Sequence, residues 1–93
     1  MTTGARFVIR LPSNPTTGYR WILDPIPDSG VARLVGETFD PSPQPRPGAA
    51  GTQAFRFAAI RPGEGTLRFD YVRPWQSPLL PLEQRTVRVV VEP

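Results

Sequence analysis

Histidine, cysteine and lysine are all missing from this 93-residue chain, and each absence closes off a class of chemistry. Without cysteine there is no disulfide, no thiolate metal ligand and no thiol nucleophile. Without histidine no side chain titrates near neutral pH from its ordinary value, and no Ser-His or Cys-His pair can be assembled. A zinc site would need an unusual all-carboxylate ligand set. The eight acidic residues are Asp24, Asp28, Glu37, Asp40, Glu64, Asp70, Glu83 and Glu92, and they stand singly along the chain. They form no D-x-D-x-D or E-x-x-E cluster of the kind that reads as a metal or glycosidase site. These absences argue against an enzyme and against a bound metal or cofactor.

Long apolar runs are also absent. No stretch approaches the roughly 20 apolar residues of a membrane span. The opening Met1-Thr2-Thr3-Gly4-Ala5-Arg6 lacks the basic region, apolar core and cleavage site of a signal peptide. A cytoplasmic location is expected for the chain as it stands, and a periplasmic or secreted one if its N-terminus is truncated. All eleven basic residues are arginine, giving a net charge of +3 that mildly favours an acidic partner. They are scattered rather than clustered, so a compositional preference for arginine outweighs nucleic-acid binding. Neither a nucleic acid nor a membrane is expected as partner. The length allows one domain, residues 1–93, with one modest core, and a monomer is expected.

What is present is strand pattern and turn chemistry. Residues 5–11 alternate, with Phe7, Ile9 and Leu11 on one face and Arg6, Val8 and Arg10 on the other. Residues 19–23 form a short strand, and residues 31–39 are extended and mixed. Residues 53–60 point Phe55, Phe57 and Ala59 inward and Arg56 outward. The cleanest strand is 65–72, with Leu67, Phe69 and Tyr71 on one side and Thr66, Arg68 and Asp70 on the other. Residues 85–91 close the chain with Val87, Val89 and Val91 on the buried face. Between them lie Gly/Pro turns, including Arg61-Pro62-Gly63-Glu64 with type II preferences. The longest loop, residues 41–51, carries prolines at 41, 43, 45 and 47, which forbid ladder pairing and favour polyproline geometry. Six strands and no 3.6-residue period predict an all-β fold, a small antiparallel sandwich, with a six-stranded barrel as the alternative that spacing cannot separate.

Two stiffened turns stand out as candidate binding elements. In Asn14-Pro15-Thr16-Thr17-Gly18-Tyr19, proline fixes one end and glycine supplies a position able to take positive φ at the other. In Tyr71-Val72-Arg73-Pro74-Trp75, proline fixes its own φ and confines Arg73 to extended or polyproline geometry, directly ahead of a Trp. Trp and Arg are enriched at binding hot spots, and Pro-flanked loops lose little entropy on docking. Each piece also has a plainer reading. A Thr-Thr-Gly turn is most often only a turn, Trp75 could equally cover the core, and Arg73 could bond loop carbonyls. Tyr19, Trp21 and Tyr71 read as packing residues, and residues 48–51 as a plain loop.

Taken together, the motifs are more specific than any one of them. Leu11-Pro12-Ser13-Asn14-Pro15-Thr16-Thr17-Gly18-Tyr19, then Gly48-Ala49-Ala50-Gly51-Thr52, then Leu67 through Arg73-Pro74-Trp75 occur in an order and spacing that resembles the chagasin family of cysteine peptidase inhibitors. The resemblance covers roughly residues 5–91. It implies an immunoglobulin-like β-sandwich that blocks papain-like cysteine peptidases with three loops at one end. It also implies peptidase-binding roles for Asn14, Pro15, Thr16, Thr17 and Gly18 at the centre of a wedge, with Thr16 and Thr17 over the catalytic Cys and His. Gly48, Ala49, Ala50 and Gly51 would lie on one side, and Arg73, Pro74 and Trp75 on the other. Inhibition would be reversible and competitive, with no cofactor.

Two departures from the family pattern bear on that expectation. Its members usually carry another strand before the one beginning near Ala5, which leaves open a sandwich lacking its first strand and exposing an unpaired edge. The proline-dense residues 41–47 are unusual for the second loop. The competing reading is a non-catalytic sandwich module that uses Trp75 and Tyr19 as platforms for a glycan or protein ligand.

Overall fold

Period-two alternation gives strands that each bury one face, and the computed structural model describes them over residues 1–14, 17–24, 30–40, 51–76, 78 and 80–93. In chain order they are β1 (Arg6–Ser13), β2 (Arg20–Asp24), β3 (Ala32–Asp40), β4 (Gly51–Ala59), β5 (Gly63–Val72) and β6 (Glu83–Val91). They form two three-stranded sheets, β1-β4-β3 and β2-β5-β6, with every pairing antiparallel. The architecture is the all-β antiparallel sandwich that the pattern predicts, of the immunoglobulin-like form that the resemblance implies, and not a closed barrel.

The central strands β4 and β5 supply most of the core. Phe55 and Phe57 from one sheet meet Phe69 from the other at centroid distances of 4.9 and 6.5 Å, and Phe7 stacks on Phe57 at 5.2 Å. Leu11, Trp21, Leu67, Val89 and Val91 complete the buried cluster. These are the inward residues of the alternation. Aromatic pairs of this kind contribute about 0.5–1.5 kcal/mol each beyond their area.

The strands differ from the alternation in three places. β5 starts at Gly63, which pairs with Val91, so Pro62-Gly63 leads directly into the ladder rather than forming a separate four-residue turn. Gly63 has φ of +137°, and a Cβ there would sit 3.2 Å from Val31 Cγ1. β3 carries a bulge between Leu34 and Gly36, and beyond it Glu37 falls opposite Phe55. Asp70 does lie on the outer face of its sheet, yet it is buried, as is Val72 two residues on. Arg68 covers Asp70, its Nε donating to Oδ1 at 3.2 Å.

Edges are managed by side chains. β6 bears Glu83 and Arg85 on its core-facing side, opposite Tyr71 and Phe69, where the pair meets at 2.8 Å and stays half exposed. Charges aimed inward on an edge strand discourage pairing with another chain. At the other end of β6, residues 1–2 add a parallel bridge from Thr2 to Glu92, with Glu92 N–H donating to the Met1 carbonyl at 2.7 Å.

The free edge of β2 is closed differently. Gln53 of β4 lies on the core face and is buried. Its Oε1 accepts the Trp21 N–H at 2.7 Å and its Nε2 donates to the Trp21 carbonyl at 3.0 Å, replacing a neighbouring strand. Nε2 also reaches Glu37 Oε1 at 3.2 Å, and Arg20 meets the same carboxylate at 3.2 Å. Gln53→Leu keeps the size but orphans both backbone groups of Trp21. A loss of about 2–6 kcal/mol in urea-unfolding free energy is expected, at about 1–3 kcal/mol for each of the two buried unsatisfied groups. A change under a few tenths of a kcal/mol would show that water replaces the amide without cost.

Candidate functional site

The strand register gathers three connections at one end of the sandwich. Ser13, the last residue of β1, pairs with Gly51, the first of β4. Arg20, the first of β2, pairs with Val72, the last of β5, and Tyr71 pairs with Glu83 at the start of β6. Loops 14–19, 41–50 and 73–82 therefore leave the sheets at the same end. The first of them passes from one sheet to the other, whereas the other two are hairpin connections within a sheet.

The described residues of loop 14–19 bond to one another. The Asn14 carbonyl accepts from both the Thr17 N–H at 3.3 Å and the Thr17 hydroxyl at 2.8 Å. Thr17 Oγ1 in turn lies 3.4 Å from the Tyr19 N–H. The hydroxyl of Thr17 thus serves the turn, while the residue itself is exposed. Asn14 N–H donates to the Tyr71 hydroxyl at 3.1 Å, which pins the start of the loop to β5. Gly18 has φ of +82°, the left-handed conformation that the Thr-Gly pair predicts and that costs a side chain strain.

Loop 73–82 opens with a β-turn closed by the Gln76 N–H donating to the Arg73 carbonyl at 3.0 Å. Pro74 and Trp75 occupy its central positions, where proline's fixed φ is suited to the first. Trp75 is 70% exposed, so it is a loop residue and not a cover for the core. The far edge of its ring lies directly over Gly18, where any Cβ would collide with it. Arg73 joins the same contact from below. Its Nε donates to the Thr17 carbonyl at 3.4 Å and its guanidinium lies 4.6 Å from the centre of the Tyr19 ring.

An aromatic ladder supports this end. Trp21 is buried and donates Nε1–H to the Pro12 carbonyl at 2.8 Å. Tyr71 packs on Trp21 at 4.8 Å, and Tyr19 stacks on Tyr71 at 5.3 Å. All three are packing residues, as their sequence context implies. Tyr71 adds the hydroxyl anchor for Asn14, a role its motif did not reveal. Gln53 was likewise not singled out by the pattern; a polar residue two positions before Phe55 on the inward face was the available signal.

Of the candidate contact residues, Asn14, Thr17, Gly18, Arg73, Pro74 and Trp75 are brought together here. Gly51 stands at the neck of the 41–50 hairpin, where a Cβ would run into the Phe39 ring and lie 2.6 Å from the Asp40 carbonyl oxygen. Pro15, Thr16, Gly48, Ala49 and Ala50 lie outside the described residues, as do the prolines of residues 41–47. Beside the cluster an open groove of about 420 Å³ runs between Tyr19, Phe39 and Gln53, walled by the Arg20–Glu37 pair. Among the described residues, no three His, Cys, Asp or Glu side chains group as a metal site.

Gly18 thus answers two constraints, its own φ and the ring above it. Gly18→Ala should lower stability by about 1–3 kcal/mol, the cost of a non-glycine residue at such a φ. It should also shift the Trp fluorescence spectrum as Trp75 is lifted off the turn. An unchanged spectrum and unfolding midpoint would contradict the packing of Trp75 on Gly18.

Comparison with known proteins places this geometry. Residues 1–91 match the model for "Chagasin family peptidase inhibitor I42". The chain is 31% identical over 91 residues to chagasin of Trypanosoma cruzi, covering 94% of this chain and 82% of that protein. It is 33% identical over 86 residues to amoebiasin-2 of Entamoeba histolytica, covering 89% and 68% respectively. Among solved structures, a cysteine protease inhibitor from Entamoeba histolytica superposes with a TM-score of 0.82 at 26% identity, covering 99% of this chain and 83% of that one. The solution structure of amebosin gives a TM-score of 0.70 at 26% identity, with the same coverage. Sequence, motif order and fold agree: the chain belongs to the chagasin family of peptidase inhibitors, and is an inhibitor rather than an enzyme.

Proposed function

We propose that this protein inhibits papain-like cysteine peptidases reversibly and competitively, by filling the active-site cleft with the three loops at one end of its sandwich. The general function follows from the family, and a structural relative carries it in its description as a cysteine protease inhibitor. The loop mechanism rests on one observation above the others. Trp75, 70% exposed, is seated on Gly18 beside the exposed Thr17, so a hot-spot residue and the tip of the central turn share one surface.

In this reading residues 14–18 form the centre of the wedge, with Thr16 and Thr17 over the catalytic Cys and His of the peptidase. Residues 48–51 lie along one side of the cleft, and the Arg73-Pro74-Trp75 turn packs on the other, led by Trp75. The loops offer the peptidase thiolate no electrophile beyond ordinary peptide carbonyls, so no lasting covalent adduct is part of this reading. Occupancy alone excludes substrate. The unit that acts is the single domain, as a monomer, against one protein partner.

Trp75→Ala should weaken inhibition of papain roughly thirtyfold, the equivalent of about 2 kcal/mol for a hot-spot truncation. Its far-UV spectrum and unfolding midpoint should stay those of the parent, because the side chain is exposed. Full potency with a lowered midpoint would instead make Trp75 a stability residue. Thr17→Arg should abolish measurable inhibition, since a long, strongly hydrated cation cannot be desolvated in a narrow cleft without a partner. A Thr17→Arg variant with the parental inhibition constant would remove residue 17 from the contact surface.

A further inference from the structure

We infer that Arg73 is a positioning residue, which ties residues 17–19 to the 73–76 turn as one unit, rather than a charge offered to the peptidase. The inference rests on the inhibitor reading above and names the internal part of the same site.

Three observations carry it. The guanidinium is held within the protein, with Nε on the Thr17 carbonyl at 3.4 Å and the planar group over Tyr19 at 4.6 Å. Arg73 is half-buried, whereas the neighbouring Pro74 and Trp75 are exposed. The carbonyl of Arg73 also closes the turn that carries Trp75, through Gln76 N–H at 3.0 Å. One residue therefore grips the backbone of the central turn with its side chain and shapes the Trp turn with its main chain.

The second link between the turns is Trp75 on Gly18. Each link alone is a single contact between the two turns, and a single contact leaves a hinge. Two links at separate points remove the hinge, so Thr17 and Trp75 keep a fixed spacing before any partner arrives. Preorganisation of that kind raises affinity by cutting the ordering cost of binding rather than by adding contact. Arginine suits the task because its planar group can stack on Tyr19 while Nε donates in plane; a lysine ammonium, a point charge without a planar fork, cannot combine the two.

The test compares Arg73→Ala and Arg73→Lys with the parent in two settings. In the free protein, the Gly18 Hα resonances report the Trp75 ring, because a ring packed on that carbon shifts them by its ring current. Both variants should move these resonances toward ordinary glycine positions while leaving the unfolding midpoint nearly unchanged. Against papain, both should inhibit about tenfold more weakly, the scale of ordering one or two interface side chains. The loss should be the same at low and high salt. In a double-mutant cycle the Arg73→Ala and Trp75→Ala losses should fall short of additive, as for groups acting through one arrangement.

Overturning results are equally specific. Unmoved Gly18 resonances in both variants would show that Arg73 does not hold the turns. Parental potency in Arg73→Lys with a salt-sensitive loss in Arg73→Ala would make Arg73 a direct ionic contact. If the parent protein fails to inhibit papain at all, the inhibitor reading falls, and the resonance shifts still decide the role of Arg73.

Discussion

A single side-chain amide stands beneath everything else at the functional end of this protein. β2 is an edge strand of five residues, and at Trp21 its backbone N–H and C=O face the opposite sheet rather than a strand. Buried peptide groups in that position are costly unless bonded. Gln53 bonds both, at 2.7 and 3.0 Å, and so fastens the two sheets together just below the loops. Trp21 is thereby fixed between the sheets, and its indole N–H secures the end of β1 through Pro12. From Trp21 the contacts climb outward through Tyr71, Tyr19 and Arg73 to the Thr17 carbonyl. The loops are extensions of the core rather than appendages to it.

That continuity explains how a chain of modest core can hold the proposed contact surface firm. Proteins of this size bury a smaller share of their surface than larger ones, so loose loops would be the ordinary expectation. Here the Thr17 hydroxyl and N–H both bond the Asn14 carbonyl, and the Trp turn is closed by its own hydrogen bond. The exposed apolar face of Trp75 is then held out at little entropic cost on docking. The proposed inhibition by occupancy, with no chemistry of its own, would depend on such stiffness. A flexible segment in a peptidase cleft is a substrate.

Much of this was legible in the sequence, for physical reasons that can be stated. Strands and their buried faces follow from alternation, and Phe55, Phe57, Leu67, Phe69, Val89 and Val91 lie where the period of two puts them. The positive φ of Gly18 follows from the turn residues before it. Other features depend on partners distant in the chain and leave no local mark. The bulge at Leu34 and Gly36 comes from one inserted residue, Gln53 is explained only by an edge in the other sheet, and the burial of outward-facing Asp70 and Val72 by what covers that face. Within the site, motif order identified the family and the loops, while the seating of Trp75 on Gly18 and the inward grip of Arg73 required coordinates.

The central claim is occupancy of the cleft, and its most direct test is competition. Papain activity titrated with this protein at several substrate concentrations, with trypsin as a control, measures it. The account predicts that the apparent inhibition constant rises linearly with substrate concentration, by a factor of one plus the ratio of that concentration to KM, that dilution restores activity, and that trypsin is untouched. An inhibition constant independent of substrate, or equal inhibition of trypsin, would contradict it.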